Sequence, residues 1–469
     1  INKIRNSGDS SLVALLDNWQ KSKNYWLWLV QNPDQAKELN INVDSVYDYT
    51  NDLEKQLSLK SEEFKKAFKV SKITWKDIRN VLKDGEAAIE IIRFRNVVPI
   101  TNQSSNDSVL YAALIVTKKT LKHPEIVILK NGKELETYYI KLYGNLVKVQ
   151  KIRPFSASNP YEIEAMENDS KLLYQNFWGG INKKLNGIKT VYLSIDGVYN
   201  SINLQTLINP KTNKYLLEEI DLRNVTNTKD LIEYARHKDI KSEKVAVLFG
   251  NPKYNLDENK PDELLRLPGT EIEIKKIVTD LKAKNWQVQY YLDSNATENQ
   301  IKLVNNPSIL HIATHGVFLE DVELSSQTLG TSTTNQNPLL RSMLYFSGVE
   351  NSDHSSTNDG KLTAFEAMDL NLDNTELVVL SACETGLGEL KNGEGVYGLQ
   401  RAFQVAGTKS LIMSLWTVSD EATQELMTKF YEYFFNGLEK RVAFRKAQIE
   451  LKNNYPEFYF WGAFVMVGE

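Results

Sequence analysis

Four short runs restrict what this chain can fold into: KVAVLFGNP (244–252), SILHIATHG (308–316), LVVLSACETG (377–386) and TKSLIMSLW (408–416). Each is apolar at consecutive rather than alternate positions, and the first three end in turn residues. A strand that is apolar on both faces must be covered on both faces. Helix-like stretches separate several of the runs or follow them, among them PGTEIEIKKIVTDLK, DEATQELMTKFYEYFFNG and KRVAFRKAQIELKNN. That alternation predicts an α/β unit, a mostly parallel sheet with helices on both faces. Thr270 with Glu273, and Thr297 with Gln300, have the spacing of capping boxes that open helices.

Two further units precede it. Over 73–243, EAAIEIIRF, VLYAALIVT, EIVILKNG and KTVYLSIDG are β-rich runs bounded by turn residues, with AMENDSKLLYQNFWGGINKKL among them as helix. Over 1–72 the chain reads as a helical arm. Leu53, Leu57, Phe64, Ala67 and Phe68 recur at helical spacing between charged residues, which suits either a partner surface or a neighbouring helix of the same chain. Opening on Ile1, the sequence reads as part of a longer chain. Residues 320–360 are rich in Ser, Asn and Thr and read as a long functional or mobile loop.

Composition excludes several classes. The 56 basic and 60 acidic residues give a net charge of −4, so no basic field calls for direct nucleic-acid contact. One cysteine rules out an intramolecular disulfide framework and leads us to expect a cytoplasmic, reducing setting. No apolar run is long enough for a membrane span, so no membrane partner is expected.

The chemistry concentrates at two strand ends. SILHIATHG ends in His315-Gly316, and LVVLSACETG carries the single cysteine, Cys383. In a parallel sheet, functional groups collect beyond the carboxyl ends of the strands. If the two strands are neighbours, His315 can act as base toward a Cys383 thiol, and the N–H groups of Gly316 and Cys383 can hold an oxyanion. The bland alternative is a cysteine packed as a small hydrophobe. His311 lies four residues before His315 on the same side of the strand, flanked by Leu310 and Ile312, and reads as a buried supporting histidine. A histidine pair on a strand without an HExxH glutamate is a poor zinc site, and KNGEGVYG lacks the order of a phosphate loop, so neither metal nor cofactor is expected. Ser419 reads as a helix cap, with Asp420 and Glu421 in the first turn or near a substrate pocket.

HIATHG followed by SACETGLGE, with NPLLRSMLYFSGVE, DGKLTAFEAMDLNLDNTELVVLSACETGLGE, NGEGVYGLQRAFQVAGTKSLIMSLWTVSDEAT and FYFWGAFVMVG, resembles the CHAT family of caspase-like proteins. The likeness is strongest from 244 to 469 and weaker over 73–243, where YLSIDGVYNSINLQTL has Asn200 and Asn203 at positions where prolines are common. The resemblance implies a caspase-like three-layer sandwich with a mostly parallel central sheet. Residues 244–469 would be the active peptidase domain, 73–243 a pseudo-caspase half without a dyad, and 1–72 the end of a tetratricopeptide-type region. Cys383 would be nucleophile, His315 base and Gly316 an oxyanion donor. Ser414, Leu415 and Trp416 would lie along extended substrate, with Asp420 and Glu421 near it. Glu384 stands where caspases proper have arginine, so aspartate specificity is not implied. The family points to a bacterial cysteine peptidase that cleaves a protein effector, gasdermin-like or CRISPR-linked, in antiviral signalling or defence. An activating protein or complex would engage the arm. The competing classes are a silent scaffold that recruits partners through the arm, and acyl transfer to small molecules by the same dyad.

Overall fold

In the computed structural model the described residues are 4, 8–31, 33–60, 73–96, 108–152, 159–236, 243–257, 259–261, 263–319, 338–351, 358–381, 389–391, 395–417 and 419–469. The apolar runs become strands of one sheet. Its strands are β1 (Glu86–Asn96), β2 (Ser108–Thr117), β3 (Glu125–Leu129), β4 (Thr190–Ser194), β7 (Asp221–Asn224), β8 (Val245–Pro252), β9 (Gln287–Asp293), β10 (Ile309–Ala313), β14 (Leu377–Leu380), β17 (Ser410–Ser414) and β18 (Phe464–Gly468). The short strands between them are β5 (Ile208–Asn209), β6 (Lys214–Tyr215), β11 (Gly316–Phe318), β12 (Ser342–Tyr345), β13 (Lys361–Thr363), β15 (Glu389–Lys391) and β16 (Gly395–Tyr397).

The 11 strands lie in the order β3-β2-β1-β4-β7-β18-β17-β14-β10-β8-β9. From β17 to β9 every pair is parallel, while β18 runs antiparallel to β17 and parallel to β7. The strands before residue 243 and those after it therefore share one sheet, joined where Val467 faces Asn224. Because β7, β4 and β1 follow the direction of β18, their carboxyl ends point away from those of β14 and β10.

Helices cover the sheet as the sequence demands. The ones that matter for the site are α1 (Ser10–Gln31), α2 (Val43–Lys60), α3 (Pro268–Ala283), α4 (Glu298–Lys302), α5 (Ala364–Ala367), α6 (Leu399–Val405), α7 (Asp420–Phe435) and α8 (Lys440–Asn454). All four residues of β14 are fully buried, which accounts for their unbroken apolar pattern. At Gly250 a Cβ would come within 2.5 Å of Ile274 Cγ1 and 3.1 Å of the Thr270 carbonyl, so glycine lets α3 lie directly on β8.

Two expectations change. The helix expected to open at Thr270 begins at Pro268; Thr270 Oγ1 donates to the Leu267 carbonyl (2.7 Å) and accepts from the Asn251 N–H (2.8 Å). Glu273 therefore caps nothing and lies on the inner face, 1% exposed. The second box holds at its cap, where Thr297 accepts from the Gln300 N–H. The segment 320–360 is not wholly irregular: Pro338–Arg341 is helical, and β12 joins β11 and β13 in a three-stranded antiparallel sheet. Residues 320–337 and 352–357 of that segment lie outside the described residues.

The arm is a helical hairpin. Leu12 and Leu16 of α1 pack with Leu57 of α2, while Leu53 is also buried. The arm meets the rest of the chain at α5: Lys23 Nζ is 2.8 Å from Asp369 Oδ1, and Trp26 packs on Phe365. Phe64, Ala67 and Phe68 lie outside the described residues. Among the described residues no helix is long and apolar enough to cross a membrane.

Candidate active site

β10 and β14 are neighbours and parallel, with Ile312 opposite Leu380, and the Ser381 N–H continues the ladder to the Ile312 carbonyl (2.8 Å). The carboxyl ends of β10 and β14 thus lie side by side in the sheet. His315 follows Ile312 by three residues in sequence, and Cys383 follows Leu380 by three. Cys383 and Glu384 lie outside the described residues.

His315 is held at its backbone carbonyl, its backbone N–H and its ring Nε2. Its carbonyl accepts from the Tyr345 N–H (3.0 Å), and its N–H donates to the Tyr254 hydroxyl (3.3 Å). Thr314 Oγ1 donates to the Tyr345 carbonyl, so the Tyr254 hydroxyl must donate its own proton to Thr314 Oγ1, 3.0 Å away. The Tyr254 ring also lies against the imidazole, with centroids 5.1 Å apart. His315 Nε2 is 2.7 Å from the Leu265 carbonyl. A carbonyl only accepts, so Nε2 carries the proton and Nδ1 is left as the basic atom.

Gly316 begins β11 opposite Leu344. The flanking backbone bonds run from Tyr345 N to His315 O and from Leu319 N to Arg341 O (2.9 Å), so hydrogen-bonded positions fall at odd residue numbers of β11. In an antiparallel ladder the intervening residue turns its N–H to the other side. The Gly316 N–H therefore points away from β12, from an edge strand beside the histidine.

Asp420 opens α7 behind the cap Ser419, whose Oγ accepts from the Ala422 N–H (3.3 Å). The carboxyl is solvent-exposed but crowded: a Cβ on Gly269, at the start of α3, would sit 3.0 Å from Asp420 Cβ. This partial desolvation raises its pKa above the ordinary value, and the positive charge of His315 opposes the rise. The two groups therefore sense one another electrostatically. Glu421 is exposed.

Ser414, Leu415 and Trp416 are all buried. β17 is flanked by β14 through Ile412 and by β18 through Ser414, the Leu415 N–H donates to the Ala463 carbonyl (2.9 Å), and Trp416 Nε1 donates to the Tyr459 carbonyl (2.9 Å). These side chains belong to the core.

His311 is fully buried one layer below. Its Nδ1 is 3.0 Å from the Tyr431 hydroxyl, and its Nε2 is 2.8 Å from Glu273 Oε1, a close approach outside hydrogen-bond geometry. Sequence reasoning missed Tyr254, Leu265 and Glu273. Tyr254 stands two residues past the turn that ends KVAVLFGNP, and that position was its only signal. A backbone acceptor such as Leu265 O leaves none.

The CHAT domain family model matches residues 167–469. The chain belongs to the CHAT domain family. Tetratricopeptide repeat protein 28 of Mus musculus is 25% identical over 303 residues, covering 60% of this chain and 12% of that protein. The human protein of the same name is 30% identical over 109 residues, 23% of this chain and 4% of that one. The chain thus spans only a small part of the length of these relatives. Among solved structures, separase in the Saccharomyces cerevisiae separase–securin complex is similar with a TM-score of 0.46 and 11% identity, covering 90% of this chain and 33% of that one. The Arg-specific cysteine proteinase gingipain R gives 0.36 and 13%, covering 70% and 75%.

Proposed function

We propose that this CHAT chain is a cysteine endopeptidase in which His315 activates Cys383. The observation that carries the reading is the Nε2–H of His315 fixed on the Leu265 carbonyl, which leaves Nδ1 basic at the edge where β14 leads toward Cys383. Nδ1 takes the thiol proton and the sulfur attacks the scissile carbonyl. The Gly316 N–H stabilises the oxyanion, with the Cys383 N–H as second donor. The imidazolium then returns its proton to the leaving amine, and water, activated by the same nitrogen, hydrolyses the thioester. The Leu265 carbonyl supports the positive charge that the ring carries between these steps.

If Asp420, within electrostatic reach of His315, or Glu421 lines the S1 pocket, a basic residue is favoured at P1; if they only open the helix, an apolar P1 fits as well. The substrate is a protein effector of a bacterial defence pathway, the working place is the cytoplasm, and an activating partner acts through the arm. These assignments rest on the family resemblance and on the arm's contact with α5. Extended substrate would use backbone beyond Ser414, since β17 up to that point is a central strand.

Cys383→Ala should abolish cleavage in a proteome-wide profile while leaving the melting temperature within a few degrees. His315→Ala should reduce turnover nearly as far, and the double variant should be no worse than either, because nucleophile and base act as one unit. A folded Cys383→Ala that still cleaves overturns the reading in favour of a scaffold. Acyl transfer is recognised by turnover of small thioesters without peptide cleavage.

A further inference from the structure

The core beneath the site holds a polar chain that the proposed chemistry does not use. Glu273 of α3 and His311 of β10 are 1% and 0% exposed, their nearest atoms 2.8 Å apart. Glu273 Oε2 also accepts from Ser381 Oγ (3.2 Å), at the end of β14, and His311 Nδ1 meets the Tyr431 hydroxyl of α7 at 3.0 Å. Burial holds the Tyr431 hydroxyl protonated, and the nearby Glu273 adds to this.

Four elements thus converge on one carboxyl and one imidazole. An isolated carboxylate in such a place costs several kcal/mol, so Glu273 depends on the partners that His311 and Ser381 bring to it. An apolar core would be simpler to build here. What the polar chain supplies is direction. His311 and Ser381 stand on adjacent strands, four residues before His315 and two before Cys383. Glu273 reaches both. Its helix also begins just after Leu265, whose carbonyl holds the His315 ring.

We infer that Glu273, with His311, Ser381 and Tyr431, is a positioning clamp that fixes the ends of β10 and β14 relative to each other, and so sets the alignment of the nucleophile and base of the proposed peptidase. The inference rests on that reading. Its residues are positioning residues, argued to act through His315 and Cys383.

The test exploits the single thiol of the chain. Iodoacetamide alkylation of Cys383 is followed against pH in the full chain, with thermal melts as the check on folding. Coupling to His315 gives a thiol reactive below the ordinary midpoint of about 8.5. Ser381→Ala and Glu273→Gln should move the midpoint up toward that value and lower kcat about tenfold with KM within twofold. Ser381→Thr, which keeps the hydroxyl, should restore both. A coupled thiol whose profile is the same in folded Ser381→Ala and Glu273→Gln overturns the clamp alone. A loss of kcat that only follows the folded fraction, with an unmoved profile, does so as well. A wild-type thiol that alkylates as an ordinary cysteine and ignores His315→Ala removes the dyad, and the clamp's role with it.

Discussion

Tyr254 makes two contributions to His315 that one substitution separates. Its ring packs on the imidazole, while its hydroxyl accepts from the His315 N–H and donates to Thr314. Tyr254→Phe keeps the ring and leaves those two groups without the shared hydroxyl. We expect kcat to fall roughly tenfold, about 1.4 kcal/mol in barrier, with KM little changed. An unchanged kcat in peptide cleavage would show that Leu265 alone orients the ring. Glu298 gives a stability prediction. It is 2% exposed, accepts from the Gly360 N–H (2.8 Å) and pairs with Lys302, yet burial raises its carboxyl from 4.5 to about 7. The folded state therefore binds a proton that the unfolded state has released between those values. Stability from this group is fully present below about pH 4.5 and is lost as pH rises through about 7. The loss is on the order of 3 kcal/mol at 1.36 kcal/mol per pH unit. Glu298→Gln, which still accepts from Gly360, should flatten that slope. Urea melts at pH 5 and pH 8 read it directly, and equal slopes in both proteins would refute it.

The elements around the site are positioned by close backbone approach. Gly250→Ala would place a methyl 2.5 Å from Ile274 Cγ1 and push α3 off β8. Overpacking of this kind costs about 1–3 kcal/mol. Because α3 begins three residues after Leu265, the shift should also loosen the His315 ring and reduce turnover in the folded fraction. Urea melts together with active-site titration separate the two losses. The sequence makes the β strands legible, since β8, β10, β14 and β17 carry the unbroken apolar runs of doubly covered strands. It also places His311 below His315, because alternation and its apolar neighbours allow little else. Glu273 was misleading: its spacing from Thr270 fits a cap as well as an inward turn of a helix that starts two residues earlier, at Pro268. β12 was illegible for a different reason. Four residues, SMLY, show no period, and the strand exists because β11 and β13 pair with it. The bond from His315 to the Leu265 carbonyl spans 50 residues and uses a group every residue has.

At the scale of the whole molecule, a continuous path joins the arm to the site. Lys23 of α1, nearly buried, meets Asp369 just beyond α5 and lies 4.4 Å from the Phe365 ring centroid, beside Trp26. From α5, Glu366 reaches Lys302 at 2.9 Å, Lys302 pairs with Glu298, and Glu298 holds the Gly360 N–H that precedes β13. β13 pairs with β12, and β12 pairs with Gly316 and holds the His315 carbonyl. Under the proposed peptidase reading, movement of the arm relative to α5 would act on the strand that carries Gly316 and give a partner bound to the arm a lever on the chemistry. Removing one member of the Lys23–Asp369 pair should cost about 2 kcal/mol of docking, less than a fully buried pair because Asp369 keeps part of its side chain in water. Lys23→Ala and Asp369→Asn should each lower kcat about threefold to tenfold with KM little changed, and the double variant should resemble either single one, since both remove the same contact. Limited proteolysis should cut the arm faster in all three. If the arm loosens while kcat stays at the wild-type value, the path carries packing but no control.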